Sequence, residues 1–344
     1  MKTDKKLAAL VVCIVALHLV AIFPGFIAPY DFSAQDRDWI YSPPSALHFF
    51  DKQGHWHLRP TVCTNQESLA RTVNTSEPAR CSPVQFVIYG SKYQLFGIFE
   101  SSWHLFGIDS PNKIFLLGSD SFGRDVFSRL VYGSQISLLS GILATILTIT
   151  IGVTLGTIAG YYGGWIDAAL MRCAELFLAL PWLYLLFAVR AFLPLHVSPG
   201  KTFLLLIGVI GVVGWARPAR LVRGIALSAR ERGYCRAAKA FGASDLYLMW
   251  RHLLPETYSV LLTQAALLIP QYILAEVTLS FLGLGVGEPM ASWGNMLATL
   301  QQYDVLVLYW WMWAPGIAVI PVFFSYQLLG NALQARARSG ACQE

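Results

Sequence analysis

The chain has 344 residues, a formal net charge of +5 and a mean hydropathy of +0.51, with 55% hydrophobic and only 13% charged residues. Soluble proteins carry roughly 25% charged residues, so this composition cannot cover a water-facing surface. It excludes a disordered chain, a collagen-like chain and a polyelectrolyte that binds nucleic acid, and leaves a polytopic membrane protein.

The spans are marked by stretches without Asp, Glu, Lys or Arg. The longest run from Leu7 to Tyr30, Leu130 to Ile166 and Val305 to Ala335. Shorter ones run from Leu176 to Val189, Thr202 to Ala216 and Thr257 to Ala275. About 20 apolar residues in a helix cross roughly 30 Å of hydrocarbon. Six helices are expected, near residues 7–28, 134–160, 169–194, 202–223, 256–283 and 308–332. The runs are continuously apolar rather than alternating, which argues against a β-barrel. The first follows Lys2, Lys5 and Lys6 and contains Pro24 and Pro29 in place of a small-residue cleavage site, so it reads as a retained anchor rather than a cleaved signal.

Residues 31–117 form an insert too long for a bare loop. Val84–Tyr89 and Lys92–Ile108 read as short strands, so a small β-containing domain is expected between the first two spans. Cys63 and Cys81 lie 18 positions apart in it and are expected to pair in an oxidising compartment. The alternative is two free thiols. His48, His55, His57 and His104 also fall here, but no Cys or carboxylate joins them at ligand spacing, and no metal site is expected. After the insert, Gly123, Arg124 and Asp125, with Arg129 at helical spacing, read as an amphipathic helix on the outer interface.

Gly141, Gly152, Gly156 and Gly160 form a small-residue stripe on the second span, suited to close helix packing or a hinge. Pro181 and Pro270 are expected to kink the third and fifth spans. Arg190 is expected to snorkel outward, and Arg172 to pair with Glu175. Ionisable groups within spans are functional candidates, chiefly Glu276, which either faces a pathway or makes a structural contact.

From Ala216 to Glu256 there are eight basic residues against three acidic. The positive-inside rule places this loop in the cytoplasm. Six spans then bring both termini to the same side, consistent with the basic start and with Arg336 and Arg338 near the end. The nearly neutral insert lies outside. Within the loop, residues 231–241 are good helix formers. Gly242 suits a helix C-terminus with positive φ, Ser244 or Asp245 can cap the next helix, and that helix stops by Pro255.

The run Arg236-Ala-Ala-x3-Gly242-x11-Leu254-Pro255 resembles the EAA loop of ABC importer permeases. Leu117–Gly133, Gly160–Asp167 followed by Met171-Arg172, and Glu276–Gly285 followed by Ser292–Leu297 resemble stretches of the dipeptide, oligopeptide and nickel permease family. The resemblance covers roughly 115–335 and the first span, and is to the second permease subunit type. It implies an all-α fold of six transmembrane helices with the β-containing insert. Its segments are an N-terminus and first helix (1–30), an extracytoplasmic insert (31–117), a permease core (118–335) with a coupling loop (224–252), and a cytoplasmic tail (336–344).

It further implies a bacterial inner-membrane subunit that moves peptides and is not itself an enzyme. The expected partners are a second homologous permease subunit, two cytosolic ATPase subunits, an extracytoplasmic solute-binding protein and the lipid bilayer, with no nucleic acid. The coupling residues would be Arg236, Ala237, Ala238, Gly242, Asp245 and Pro255, and the translocation or inter-subunit candidates Glu276, Ser280 and Gly283. Arg236 stands where the family has a glutamate, which argues against a simple glutamate–ATPase salt bridge. The chain has no G-x4-G-K-[ST] phosphate loop, so ATP and magnesium would sit on the partner ATPases and no cofactor on this chain. Alternatives are the same machine carrying nickel complexes or other small solutes, and, more distantly, a secondary transporter.

Overall fold

A computed structural model describes residues 2–50, 56–64, 80–95, 99–109, 112–192, 194 and 197–341. The chain is mostly helical and divides into two compact units. One comprises Met1–Ile14, Leu139–Leu279 and Pro321–Glu344, and the other Val15–Leu138 and Ser280–Ile320.

Among the described residues three helices are individually long and apolar enough to cross a membrane: Val126–Tyr162, Tyr258–Phe281 and Trp310–Arg336. The first has 37 residues, about 55 Å of helix, well beyond the expected 134–160. Two further pairs qualify if each is one bent span, giving up to five. Leu7–Ile22 is a shorter apolar helix.

The expected third span is not one helix. Gly164–Ala179 and Trp182–Ala191 meet at 95°, with Leu180 extended at the end of the first and Pro181 capping the second. Proline blocks helix continuation and pushes its predecessor into extended geometry, so Pro181 makes a break rather than a kink. The fourth is Pro199–Gly214 and Ala216–Arg230, bent by 44°. Helix Tyr258–Phe281 passes through Pro270 without interruption. Arg190 is buried and donates to the Pro194 carbonyl at 3.2 Å, so it does not snorkel.

The glycine stripe has a definite partner. A Cβ added at Gly152, Gly156 or Gly160 would lie 3.1, 2.5 and 2.7 Å from the carbonyl oxygens of Trp215, Ala219 and Arg223. Helix Ala216–Arg230 therefore lies backbone-close along the end of Val126–Tyr162, a contact only small residues permit. Gly141 meets Tyr258–Phe281 in the same way, at the carbonyl of Ile269.

In the other unit, β1 (Leu47–Phe50), β2 (Trp56–Thr64) and β3 (Arg80–Pro83) form an antiparallel sheet in that order, and β4 (Gln85–Leu95) pairs with β5 (Phe99–Gly107). Val62, Val84, Phe106, Ile108 and Ile114 form their core, against Tyr30 and Phe127. His104 is buried, its Nδ1 2.6 Å from the Ala28 carbonyl and its Nε2 2.9 Å from that of Ser91. It is a structural tie between β5, β4 and the end of the short helix Pro24–Ile27. Among the described residues no group of three or more His, Cys, Asp or Glu is placed to hold a metal. His55 and the His57 side chain lie outside those residues.

The Cys63 and Cys81 side chains also lie outside the described residues, but their backbones are direct partners in the β2–β3 ladder. Antiparallel partners have Cβ atoms about 4.5–5.5 Å apart, close to the separation a disulfide spans. We expect thiol labelling of the unreduced, denatured protein to find two fewer reactive cysteines than after reduction. Equal counts would show the pair to be reduced.

Candidate functional site

The 231–255 loop is built as local sequence dictates. Helix Gly233–Ala240 ends at Gly242, whose φ is +83°. The Gly242 amide donates to the Lys239 carbonyl and the Ala243 amide to that of Ala238, each at 3.0 Å. This is the two-bond C-terminal cap that needs a left-handed residue. The Ser244 hydroxyl accepts from the Tyr247 amide at 3.3 Å and starts helix Asp245–Leu248.

The chain does not stop at Pro255. A π-helical turn at Met249–Leu253 leads into Leu254–Glu256 and then into Tyr258–Phe281. Within an ordinary α-helix the Pro255 ring would clash with the carbonyl four residues back. The wider π turn just before it relieves that clash, so the loop runs almost continuously into the next membrane helix.

Polar contacts bind the loop to its bundle. The Arg230 guanidinium donates to the Gly160 and Tyr161 carbonyls at 3.2 and 3.1 Å, satisfying the open end of helix Val126–Tyr162. The Tyr161 hydroxyl donates to Asp245. The Lys239 ammonium sits 5.5 Å from the centre of the Tyr161 ring. Arg223 forms a bidentate pair with Asp167, and Arg232 and Tyr234 both donate to Glu256, at 2.8 and 3.0 Å. Beneath them Ala226, Ala229, Cys235 and Leu253 form a buried cluster.

Phe241 and Tyr247 are exposed, Phe241 by 91%. Leu246 and Trp250 are exposed too, but line an apolar groove with Ile149, Val153 and Ile158 of Val126–Tyr162. Arg236 and Ala237 are exposed as well. The Arg236 guanidinium donates to the Glu231 carboxylate and holds it below the usual carboxylate range. Both side chains are well solvated, so the pair adds little stability. A rigid base carrying exposed aromatics and cations is the form of a protein-docking surface.

Glu276 is fully enclosed by this chain and makes contacts within it, so it offers no surface to a second subunit. Ser280 is buried, and Gly283 lies past the helix end with its amide donating to the Ser280 carbonyl at 3.1 Å. Arg172 pairs with Glu175 at 3.2 Å, as expected.

Gly123, Arg124 and Asp125 do not form an amphipathic interfacial helix. They belong to a tight turn before Val126–Tyr162, and Arg124, Asp125 and Arg129 are all buried. The turn is imposed by Asp120, whose carboxylate accepts from the amides of Phe122 (2.8 Å) and Arg124 (3.0 Å) and from the Arg124 Nε (2.7 Å). Gly123 has a φ of +69°, and a Cβ there would collide with the Asp36 carbonyl. Asp125 accepts from the Ser128 amide and hydroxyl at the helix start. Its Oδ1 has no partner, and burial pushes the carboxyl up to about 6.

Glu288, from the segment after Tyr258–Phe281, closes this cluster. It accepts from Arg124 at 2.7 and 3.2 Å and from Arg129 at 3.0 Å. Burial works against the Arg124 charge, but Glu288 and Asp120 outweigh it and hold the guanidinium above its ordinary value. Nearby, Ser292 and Asn295 form a reciprocal cap, and the Trp293 indole donates to the Leu130 carbonyl at 3.0 Å. The stretches 117–133 and 285–297 are thus two halves of one structure. Asp120 and Glu288 were not singled out from sequence. Two aspartates already match the two arginines in number between Asp120 and Arg129, so nothing in the local sequence calls for Glu288.

Residues 152–339, more than half of the chain, match the family described as the binding-protein-dependent transport system inner membrane component. The dipeptide transport system permease protein DppC of Bacillus subtilis (strain 168) is 36% identical over 225 residues, 65% of this chain and 68% of that protein. DppC of Alkalihalophilus pseudofirmus is 35% identical over 227 residues, 66% and 72%. The glutathione transport system permease protein GsiD of Pectobacterium atrosepticum is 34% identical over 226 residues, 66% and 73%. The chain is a member of the binding-protein-dependent transport system inner membrane component family.

Proposed function

We propose that the chain is one of two permease subunits of an ATP-driven importer for di- and oligopeptides in a bacterial inner membrane. Six spans would place both termini and the 224–252 loop in the cytoplasm and residues 31–117 outside. The first helix and the two bent pairs supply the spans beyond the three long ones. A solute-binding protein would deliver cargo from outside, and two cytosolic ATPase subunits would hold ATP and magnesium. This subunit would be a gate without hydrolytic activity of its own.

One observation carries the coupling role: the 231–255 loop presents exposed aromatics on one face and is bonded to two membrane helices on the other. A force on the exposed face reaches Val126–Tyr162 through Arg230 and Tyr161, and Tyr258–Phe281 through the continuous turn at Met249–Glu256. The peptide reading draws on the dipeptide and glutathione permeases to which the chain is similar.

The purified chain is expected to show no ATPase activity. In the assembled transporter, a cysteine at position 241 (F241C) is expected to cross-link to an ATPase subunit. ATP turnover by the chain alone, or a position 241 that labels only from outside intact cells, would overturn this reading.

A further inference from the structure

The break between Gly164–Ala179 and Trp182–Ala191 leaves non-helical backbone within an apolar segment. At membrane depth such backbone persists only where it is buried or lines a cavity, and discontinuous helices mark solute sites in other transporters. A cavity of about 210 Å³ lies beside this break, whose own Leu180 and Pro181 are exposed and outside its lining. It is walled by Phe177 and Trp182 on its two sides, by Arg217 from the bend of the fourth span, and by Gln271 and Tyr272 from Tyr258–Phe281.

Arg217 sets the chemistry. Its side chain is exposed, and among the described residues no carboxylate lies within ion-pair distance. Arg223 and Arg230 on the same helix are satisfied, by Asp167 and by the Gly160 and Tyr161 carbonyls. Arg217 lies toward the cytoplasmic end of the fourth expected span, 202–223, where an exposed cation with no carboxylate beside it is open to an anion. Gln271 adds an amide, the Tyr272 hydroxyl is already engaged by Thr148 at 3.1 Å, and the remaining wall is aromatic and aliphatic. One cation, one amide, aromatic walls and no acid suit a carboxylate beside an apolar side chain. The volume falls below the roughly 300–1,000 Å³ of complete ligand sites, as half a site would.

We propose that this cavity is the chain's half of a cargo site, and that Arg217 receives the C-terminal carboxylate of a passing peptide. This rests on the peptide-importer reading. The other anion within reach of such an arginine is a phospholipid headgroup, so the test separates the two.

The complete transporter, with its second permease, ATPases and binding protein, is reconstituted in vesicles. ATP-driven uptake of trialanine and of trialanine amide is compared. In Arg217→Gln the ratio of acid to amide uptake is expected to fall about tenfold from the wild-type ratio, the effect of one charge-assisted hydrogen bond. Normalising to wild type cancels selection by the binding protein. Arg217→Lys should retain most of the ratio. Should Arg217→Gln not assemble, Gln271→Leu should lower the same ratio by a smaller factor. A ratio unchanged in the variants overturns the proposal, whatever happens to total uptake. So does a fall seen only in vesicles containing phosphatidylglycerol and not in phosphatidylcholine alone, which would assign Arg217 to headgroups. Wild-type vesicles that import neither peptide sink the peptide reading itself, and this site with it.

Discussion

Replacing Asp120 by alanine is expected to be the most damaging single change in the ion cluster, with a loss of about 3–5 kcal/mol, the range for breaking one side of a buried pair. The Asp120 and Arg124 side chains are each 5% exposed and that of Arg129 2%. Removing Asp120 leaves two buried guanidiniums with Glu288 alone, and also frees the Phe122 and Arg124 amides that shape the turn. Glu288→Gln should cost less, because that carboxylate is half exposed and water can take over part of its role. Lys113→Ala, which breaks the partly exposed pair with Asp36, should cost under about 1 kcal/mol. The measurement is thermal unfolding of the purified protein, with protease cleavage of the outer segment as a local probe. An Asp120→Ala protein as stable as Lys113→Ala would mean that the cluster does not hold this region together.

The second large effect is functional. Gly242→Val is expected to uncouple ATP turnover from transport. At φ +83° an L-residue is strained by roughly 1–2 kcal/mol, and a β-branched one fits worst. No atom lies within 4 Å of a Cβ built there, so the fault is conformational rather than a clash within the chain. The Lys239 and Ala238 carbonyl bonds would be lost, and the exposed surface carrying Phe241 would be redrawn. Gly242→Asn separates shape from bulk, because asparagine tolerates left-handed backbone. It should preserve the loop's fold and reveal how closely a partner approaches. The readout is peptide uptake per ATP hydrolysed in reconstituted vesicles, with helical content measured alongside. Fully coupled transport by Gly242→Val would remove the loop's claim to be a lever.

Much of this architecture follows from one-dimensional patterns. Regions without charge mark the spans because hydrocarbon penalises ions wherever the chain folds. Gly242 announces a helix end because its conformational freedom is a property of the residue itself. The glycine stripe foretells close packing because helical spacing puts those positions on one face. It does not say which helix approaches, and the answer, Ala216–Arg230, depends on the packing.

Other features are invisible in sequence for a physical reason: they depend on partners far along the chain. Arg124, Asp125 and Arg129 have the spacing of an interfacial helix, yet Glu288, more than 150 positions away, pairs with both arginines and makes their burial tolerable. Arg190 is enclosed rather than snorkelling, and Glu276 is sealed inside its own chain. Local propensity and solvent preference thus set which segments enter the membrane and where helices end. Which charges are neutralised, and which one is left facing a cavity, was decided only when distant segments met, because an ion's energy depends on what surrounds it rather than on its neighbours in the chain.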